Sequence, residues 1–99
     1  MLLHTVNQSP ITSTAWQSAL NSLLPGAHIL LLEDGVYAAV AGTAAADQLL
    51  ALNDVHCHVL AADAATRGIT HKLAAGIELI SYQDFVNLST ECHAVQSWY

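Results

Sequence analysis

The fold is decided by the stretch Ala27-His28-Ile29-Leu30-Leu31-Leu32, which is almost entirely apolar and is closed by Glu33 and Asp34. A continuous apolar run of this length is typical of a strand covered on both faces, as in a parallel sheet. The run is far shorter than the roughly 20 residues that a helix needs to span a bilayer. We therefore predict a buried central strand here and no membrane segment.

Strand-like runs alternate with helical segments on both sides of this stretch. Further strands are predicted at residues 2–6, 55–60 and 77–80, and helices at residues 12–24, 43–52, 62–68 and from residue 81 onward. Strands that alternate with helices favour right-handed βαβ units and a mainly parallel sheet. The prediction is one α/β domain over residues 1–99, a flavodoxin-like or Rossmann-like three-layer sandwich with four or five strands.

Local signals mark the ends and faces of the first helix. Trp16, Leu20, Leu23 and Leu24 recur at spacings of three and four, which predicts that they share one apolar face. Pro25-Gly26 is expected to stop the helix.

The last helix and the chain's tail carry signals of their own. Ser81-Tyr82-Gln83-Asp84 has the form of a capping box, and Phe85, Leu88 and Cys92 would line the inner face of the helix that it opens. Residues 94–99 form a short apolar tail.

The composition indicates a protein that contacts other proteins. Hydrophobic residues make up 54% of the chain and charged residues 10%, whereas about a quarter of an ordinary soluble domain is charged. Because a chain of this length has a high surface-to-volume ratio, it cannot bury all of this apolar material. The excess is expected to form surface patches of the kind that mark protein interfaces.

Charge and the N-terminal residues exclude other classes of function. The formal net charge is −6, and Arg67 and Lys72 are the two residues of the Lys or Arg type. Affinity for nucleic acid depends mainly on phosphate neutralisation by such residues, so direct RNA or DNA binding is not expected. Residues 1–5 lack the pattern of a secretory signal, which predicts a cytoplasmic protein. A disulfide between Cys57 and Cys92 is disfavoured in that reducing compartment.

The two cysteines are the candidates for reactive groups. Cys57 lies between His56 and His58, and a neighbouring histidine lowers the thiol pKa in reactive cysteines. Neighbours along a strand point to opposite faces, so both histidines are expected on the face away from the sulfur. A buried core thiol is favoured for Cys57, and also for Cys92, which His93 follows. A thiol that carries persulfide is the alternative for either cysteine.

Metal and cofactor sites find little support. The His56-X-His58 pair could supply two ligands, but zinc requires four ligands, or three and a water. The other histidines show no ligand spacing, although His4 and His28 on neighbouring strands could approach each other. There is no Gly-rich phosphate loop, and Asp34-Gly35 after the second strand is interpreted as a turn. No metal and no cofactor are predicted.

Three residues are candidates for contact with a partner. Arg67 is one of the two Lys or Arg residues in the chain. It either anchors an interface or pairs with Asp63 on the same helix. Trp98 and Tyr99 end the apolar tail, and aromatic residues are enriched at the energetic centre of interfaces. A frayed terminus is the alternative for these two aromatic residues.

Four segments resemble the TusB/DsrH family, in collinear order over nearly the whole chain. They are MLLHTVNQSP at residues 1–10, LLLEDGVYAA at residues 30–39, VLAAD with RGI between residues 59 and 69, and ISYQDFV at residues 80–86. Trp98 is similar to that family's closing tryptophan. The resemblance implies a DsrEFH-like version of the fold.

The resemblance also implies a role in sulfur transfer. TusB-like chains assemble with TusC-like and TusD-like subunits of the same fold into a hetero-hexamer. That complex passes persulfide sulfur to a TusE-like acceptor for 2-thiolation of the tRNA wobble uridine. DsrH-like relatives form the corresponding complex of dissimilatory sulfur oxidation.

The family's reactive cysteine lies in the TusD-like subunit, in the loop after the third strand. The corresponding residues 60–63 of this chain contain no cysteine. The resemblance therefore implies a non-catalytic structural subunit, with a persulfide carrier that uses Cys57 or Cys92 as the alternative. An isolated chain is expected to be able to form homo-oligomers in place of its natural contacts.

Overall fold

One five-stranded sheet runs through the centre of the computed structural model, which describes residues 2–99. The strands lie in the order β4-β3-β2-β1-β5, and every neighbouring pair is parallel. Their bounds are β1 Leu2–Val6, β2 His28–Leu31, β3 His56–Leu60, β4 Glu78–Ile80 and β5 Ala94–Trp98. The predicted parallel sheet is confirmed, and its central strand β2 is the apolar run that predicted it.

Four α-helices and two 3-10 helices connect the strands. The α-helices are α1 Ala15–Ser22, α2 Ala44–Leu50, α3 Ala61–Thr66 and α4 Tyr82–Glu91, and the 3-10 helices are Glu33–Ala39 and Thr70–Lys72. A right-handed crossover fixes the face on which each helix lies. The chain steps from β1 to β4 in one direction, so α1, α2 and α3 share one face. The return from β4 to β5 places α4 on the other face.

The two faces of the sheet cover two separate hydrophobic cores. The larger core joins Ile29, Leu31 and Val59 to side chains of α1, α2 and α3. We call that side the helix-rich face. The smaller core joins Leu30 and Leu60 to the inner side of α4, and we call that side the α4 face. The predicted three-layer sandwich is therefore confirmed, with one layer that consists of a single ten-residue helix.

Local caps mark the starts of two helices and the end of a third. The Thr43 side chain accepts a hydrogen bond from Ala46 N at the start of α2. Ser81 and Asp84 form both bonds of the capping box at the start of α4. Gly68 follows α3 with a φ of +67°, a conformation that is common just after a helix C-terminus and that costs glycine little.

The first helix is shorter than its sequence pattern predicts. It begins at Ala15 instead of Thr12 and ends at Ser22, so Leu24 lies outside it and is 66% exposed. The predicted place of Leu24 on the inner face is therefore wrong. The physical reason is Pro25, because a residue that precedes proline is driven out of the helical conformation.

The apolar tail is a strand, which the sequence analysis did not predict. Residues 94–98 pair with β1 along its whole length, from Leu2 opposite Ala94 to Val6 opposite Trp98. The Thr5 hydroxyl also donates to the Ser97 hydroxyl oxygen across this pair, at 3.2 Å. The alternative of a frayed terminus is wrong for residues 94–98, because they pair with β1 along their whole length.

Candidate functional site

The carboxyl ends of β2 and β3 meet in a small network of backbone and carboxylate groups. Here α3 begins directly after β3, and the Asp63 carboxylate accepts a hydrogen bond from Glu33 N at 2.7 Å. Glu33 adopts a positive φ of +49°, which turns the chain sharply out of β2. In α/β folds, this edge of the sheet is where ligands and reactive groups collect. No thiol is present in the turn Leu60–Asp63.

Arg67 closes the same network from α3. Its Nε donates to the Asp34 carboxylate at 3.0 Å, and its Nη1 donates to the Asp63 carbonyl oxygen at 3.4 Å. The charged partner is thus Asp34 instead of the Asp63 carboxylate that helical spacing suggested. Because Asp34 is exposed and Arg67 is half-buried, this ion pair ties α3 to the first 3-10 helix at the protein surface.

Gly35 allows the first 3-10 helix to approach the end of β1. A Cβ atom at this position would lie 2.0 Å from the carbonyl oxygen of Val6 and 2.8 Å from its carbonyl carbon. Two backbone hydrogen bonds hold the close approach, from Leu32 N to Val6 O at 3.1 Å and from Gly35 N to Leu32 O at 2.9 Å. Glycine is therefore a steric requirement beside Asp34.

Both cysteines lie inside the protein as reduced thiols. Cys57 is 7% exposed in the larger core, and Cys92 is 8% exposed in the smaller core. Burial raises the pKa of both thiols, so the thiolate that acts as a nucleophile is scarce at neutral pH. His56 and His58 lie on the opposite face of β3 from Cys57, as strand alternation predicted.

Three histidines form a cluster on the α4 face. His28 Nδ1 lies 2.9 Å from His58 Nε2, and His58 Nδ1 lies 3.1 Å from Glu78 Oε1. The His28 ring also stacks on His56, with centroids 4.5 Å apart. We call His28, His56, His58 and Glu78 the histidine cluster. The sequence pattern indicates the His56-X-His58 pair. Glu78 joins the pair only because β4 pairs with β3 in the register that places Glu78 opposite His58.

The proton positions in the cluster follow from its acceptors. An ionised carboxylate accepts hydrogen bonds and does not donate them, so His58 Nδ1 carries the proton toward Glu78. In neutral His58 the Nε2 atom is then an acceptor, and His28 Nδ1 donates to it. Burial lowers the pKa of both His28 and His58, although hydrogen bonding to Glu78 opposes this for His58. Both rings are neutral at pH 7, which preserves the chain of hydrogen bonds.

His4 does not join this cluster. Register places Leu3 opposite His28 and His4 opposite Ile29, so the His4 and His28 side chains lie on opposite faces of the sheet. His4 instead accepts a hydrogen bond at Nδ1 from Trp98 Nε1 at 3.1 Å, and the two rings stack. Trp98 is therefore half-buried, whereas Tyr99 is 82% exposed beside it.

An open depression beside the histidine cluster has a volume of about 560 Å³. Its walls include His58, Glu78, Asp84 and Glu91, so its charge is negative. Among residues 2–99, no group of three or more His, Cys, Asp or Glu side chains is placed to hold a metal ion. No helix of the described chain is long and apolar enough to cross a membrane.

The exposed surface is rich in large apolar side chains. They occur on several elements: Leu2, Ile11, Leu24, Tyr37, Leu50, Leu79, Tyr82, Val86, Val95 and Tyr99. Ile11 and Tyr37 line a groove of about 410 Å³ between α1 and α2. Scattered apolar residues are common on protein surfaces, but a groove lined by them is typical of a contact site.

The sheet order and the lone helix on one face define a small parallel α/β domain. The family model described as "DsrH like protein" matches residues 8–95. The chain belongs to this DsrH-like family. It is 36% identical over 97 residues to Protein TusB from Pectobacterium parmentieri, and 35% identical to Protein TusB from Escherichia coli K12. Each alignment covers 98% of this chain and 100% of the relative.

Solved structures share the fold. The ychN protein from E. coli superimposes with a TM-score of 0.79 at 18% identity, covering 98% of this chain and 97% of that one. Protein Tm0979 from Thermotoga maritima superimposes with a TM-score of 0.66 at 19% identity, covering 92% and 93% of the two chains. At sequence identities of 18% and 19%, this structural similarity shows a shared fold and no more.

Proposed function

We propose that this chain is a non-catalytic structural subunit of a TusBCD-type sulfur-relay complex that acts in 2-thiolation of the tRNA wobble uridine. Membership of the DsrH-like family supports a sulfur-relay subunit. TusC-like and TusD-like chains would be its direct partners in a hetero-hexamer, and a TusE-like protein would accept sulfur from the assembled complex. The compartment of this activity would be the cytoplasm.

The observation that carries the proposal is the position of the thiols. A sulfur carrier needs a thiolate that a donor can reach, and both cysteines are buried with raised thiol pKa values. The turn Leu60–Asp63, where the family resemblance would place a reactive cysteine, holds apolar side chains and Asp63, which is engaged with Glu33 N. The chain thus has the family architecture without an accessible nucleophile at that site.

The exposed apolar side chains give the subunit its role in assembly. Arg67, Trp98 and Tyr99 remain our candidates for partner contact. Arg67 would act from the network at the carboxyl ends of β2 and β3, where its guanidinium is already held by Asp34. Tyr99 offers the larger free surface, because Trp98 is anchored to His4.

Co-expression with TusC-like and TusD-like subunits tests the assembly. We expect one complex of fixed stoichiometry, and a self-associating or poorly soluble chain when it is expressed alone. A monodisperse, stable chain that ignores both subunits would argue against the proposal. A complex that instead forms only with the subunits of a sulfur-oxidation system would support that alternative role.

A cysteine-free variant tests the non-catalytic role. The double variant Cys57→Ala and Cys92→Ala should assemble and support sulfur transfer to the TusE-like acceptor at the wild-type rate. The matched control replaces the reactive cysteine of the TusD-like subunit, which should abolish transfer. An assembled double variant that no longer supports transfer, or a persulfide found on either cysteine by intact mass, would identify this chain as a sulfur carrier.

A further inference from the structure

The outer edge of β5 lacks the features that protect sheet edges from pairing with other strands. Residues 94–98 contain no proline and no charged residue, their register with β1 runs over five pairs without a bulge, and residues 94–97 are exposed. The strand at the other end of the sheet, β4, has three residues and carries an exposed Glu78. Short strands, charges, prolines and bulges protect edges in natural proteins, so β4 is protected and β5 is open to a further strand.

The hydrogen bonds of β1 show which backbone groups of β5 face outward. The Val6 carbonyl oxygen accepts from Leu32 N at 3.1 Å, so Val6 bonds toward β2. Because the bonding side alternates along a strand in a parallel sheet, Leu3 bonds toward β5. Val95, which lies opposite Leu3 in the ladder, then bonds to the other side, and so does Ser97. The N–H and C=O groups of these two residues therefore point away from β1.

The outward groups of Val95 and Ser97 have no backbone hydrogen-bond partner within residues 2–99. Val95 also lies beside Leu3 on the α4 face, where it is 46% exposed and is not part of the smaller core. A strand that pairs with this edge would bond the outward groups and would also remove part of the apolar Val95 surface from water.

We propose that β5 pairs in antiparallel orientation with β5 of a second copy of this chain, with Gln96 opposite Gln96 of the other copy. A two-fold axis at Gln96 gives the register in which all five residues of both strands overlap. Val95 of each copy then lies opposite Ser97 of the other, and their outward groups form four hydrogen bonds across the contact. This inference does not depend on the proposed function.

Charge and side-chain chemistry favour a second copy as the occupant. The net charge of −6 opposes contact between two copies over most of the surface, but residues 94–98 bring no carboxylate to the contact. The Gln96 side chain is exposed, and its amide contains both donors and an acceptor, so two such amides can bond each other. A contact in which both copies use the same surface closes the assembly at two copies.

The contact between two five-residue strands is small. Interfaces below roughly 1,200 Å² are typical of weak and transient complexes. The dimer should therefore dissociate readily and should be populated at high protein concentration.

Sedimentation velocity of the isolated chain over a range of concentrations tests the dimer. The wild-type chain should show a reversible monomer–dimer equilibrium. Gln96→Lys and Gln96→Glu each place like charges opposite one another, so each should weaken dimerisation about tenfold or more. An equimolar mixture of the two variants should regain dimerisation, because lysine then meets glutamate. Gln83→Lys, at an exposed position of α4, is the matched control and should dimerise like the wild type.

Disulfide trapping tests the register. Opposite residues of a non-hydrogen-bonded antiparallel pair have Cα atoms about 4.5 Å apart, within the range of roughly 4.4–6.8 Å that a disulfide spans. Gln96→Cys should therefore form a covalent dimer rapidly on oxidation by diamide, and Gln83→Cys should form one far more slowly. Both native thiols are buried, so they should contribute little to the crosslink.

Three results would overturn the proposal. They are a wild-type chain that stays monomeric at millimolar concentration, a dimer that tolerates both charged substitutions of folded Gln96 variants, and a Gln96→Cys crosslink no faster than that of Gln83→Cys. If the wild-type chain alone is monomeric and Gln96→Lys blocks assembly with TusC-like and TusD-like subunits, a strand of a sister subunit occupies the edge instead. A chain that dimerises as expected but ignores those subunits would contradict the proposed function alone.

Discussion

Replacement of Gly35 by alanine should be among the most damaging single-methyl changes in this protein. The new Cβ would lie 2.0 Å from the Val6 carbonyl oxygen, so the first 3-10 helix and the end of β1 would have to separate by about 1.4 Å to reach an ordinary contact of 3.4 Å. Overpacking of this kind costs roughly 1–3 kcal/mol. The separation also strains the Leu32–Val6 backbone hydrogen bond, which contributes about 1 kcal/mol.

The expected loss is therefore about 3 kcal/mol, a large part of the roughly 5–15 kcal/mol that stabilises an ordinary domain. Urea unfolding followed by circular dichroism measures it. With a slope of about 1.5 kcal/mol per molar urea, the midpoint should fall by about 2 M. Gly42→Ala is the control, because a Cβ there meets nothing within 4 Å and adds only the strain of its positive φ. A Gly35→Ala midpoint at or above that of Gly42→Ala would refute the steric argument.

Acidification should destabilise the isolated chain. Burial lowers the pKa of His28 and His58. Their contribution to the free energy of unfolding is therefore complete above the unfolded pKa of about 6.5 and is lost as pH falls through the lower folded values. A urea midpoint that is higher at pH 5.5 than at pH 7.5 would contradict this. Arg67→Ala should cost at most about 1 kcal/mol, since its ion pair with exposed Asp34 is screened by solvent, and a loss above 2 kcal/mol in urea unfolding would show that the pair matters more than its exposure suggests. Both cysteines should react slowly with Ellman's reagent in the native chain and completely after unfolding; fast native labelling of either would show an accessible thiol.

Local sequence signals predicted much of the fold because their causes are local. The Ser81–Asp84 box acts within one turn of a helix, and the apolar run at residues 27–32 indicates a buried strand directly. Strand alternation also placed Cys57 and its flanking histidines on opposite faces. Each of these features depends on spacing within a few residues, which the sequence displays.

The remaining features depend on register between distant segments. The tail became β5 because β1 offers a free edge, and no local pattern in residues 94–99 indicates a strand. His28 meets His58 and not His4 because β1 pairs Leu3 with His28. Arg67 reaches Asp34 because the turn after β2 lies beside α3. A shift of one residue in the register between strands would change these contacts, and the pattern of a single sequence does not determine that register.

The position of β5 beside β1 has a consequence for the order of folding. Thr5 and Ser97, which bond across this pair, are separated by 92 residues, so the sheet cannot be completed until nearly all of the domain has left the ribosome. Until then one edge of β1 has unpaired backbone groups, which attract strands of other chains. Contacts this distant in sequence slow folding. A nascent chain would therefore spend an extended interval open on that side, when chaperones can bind it.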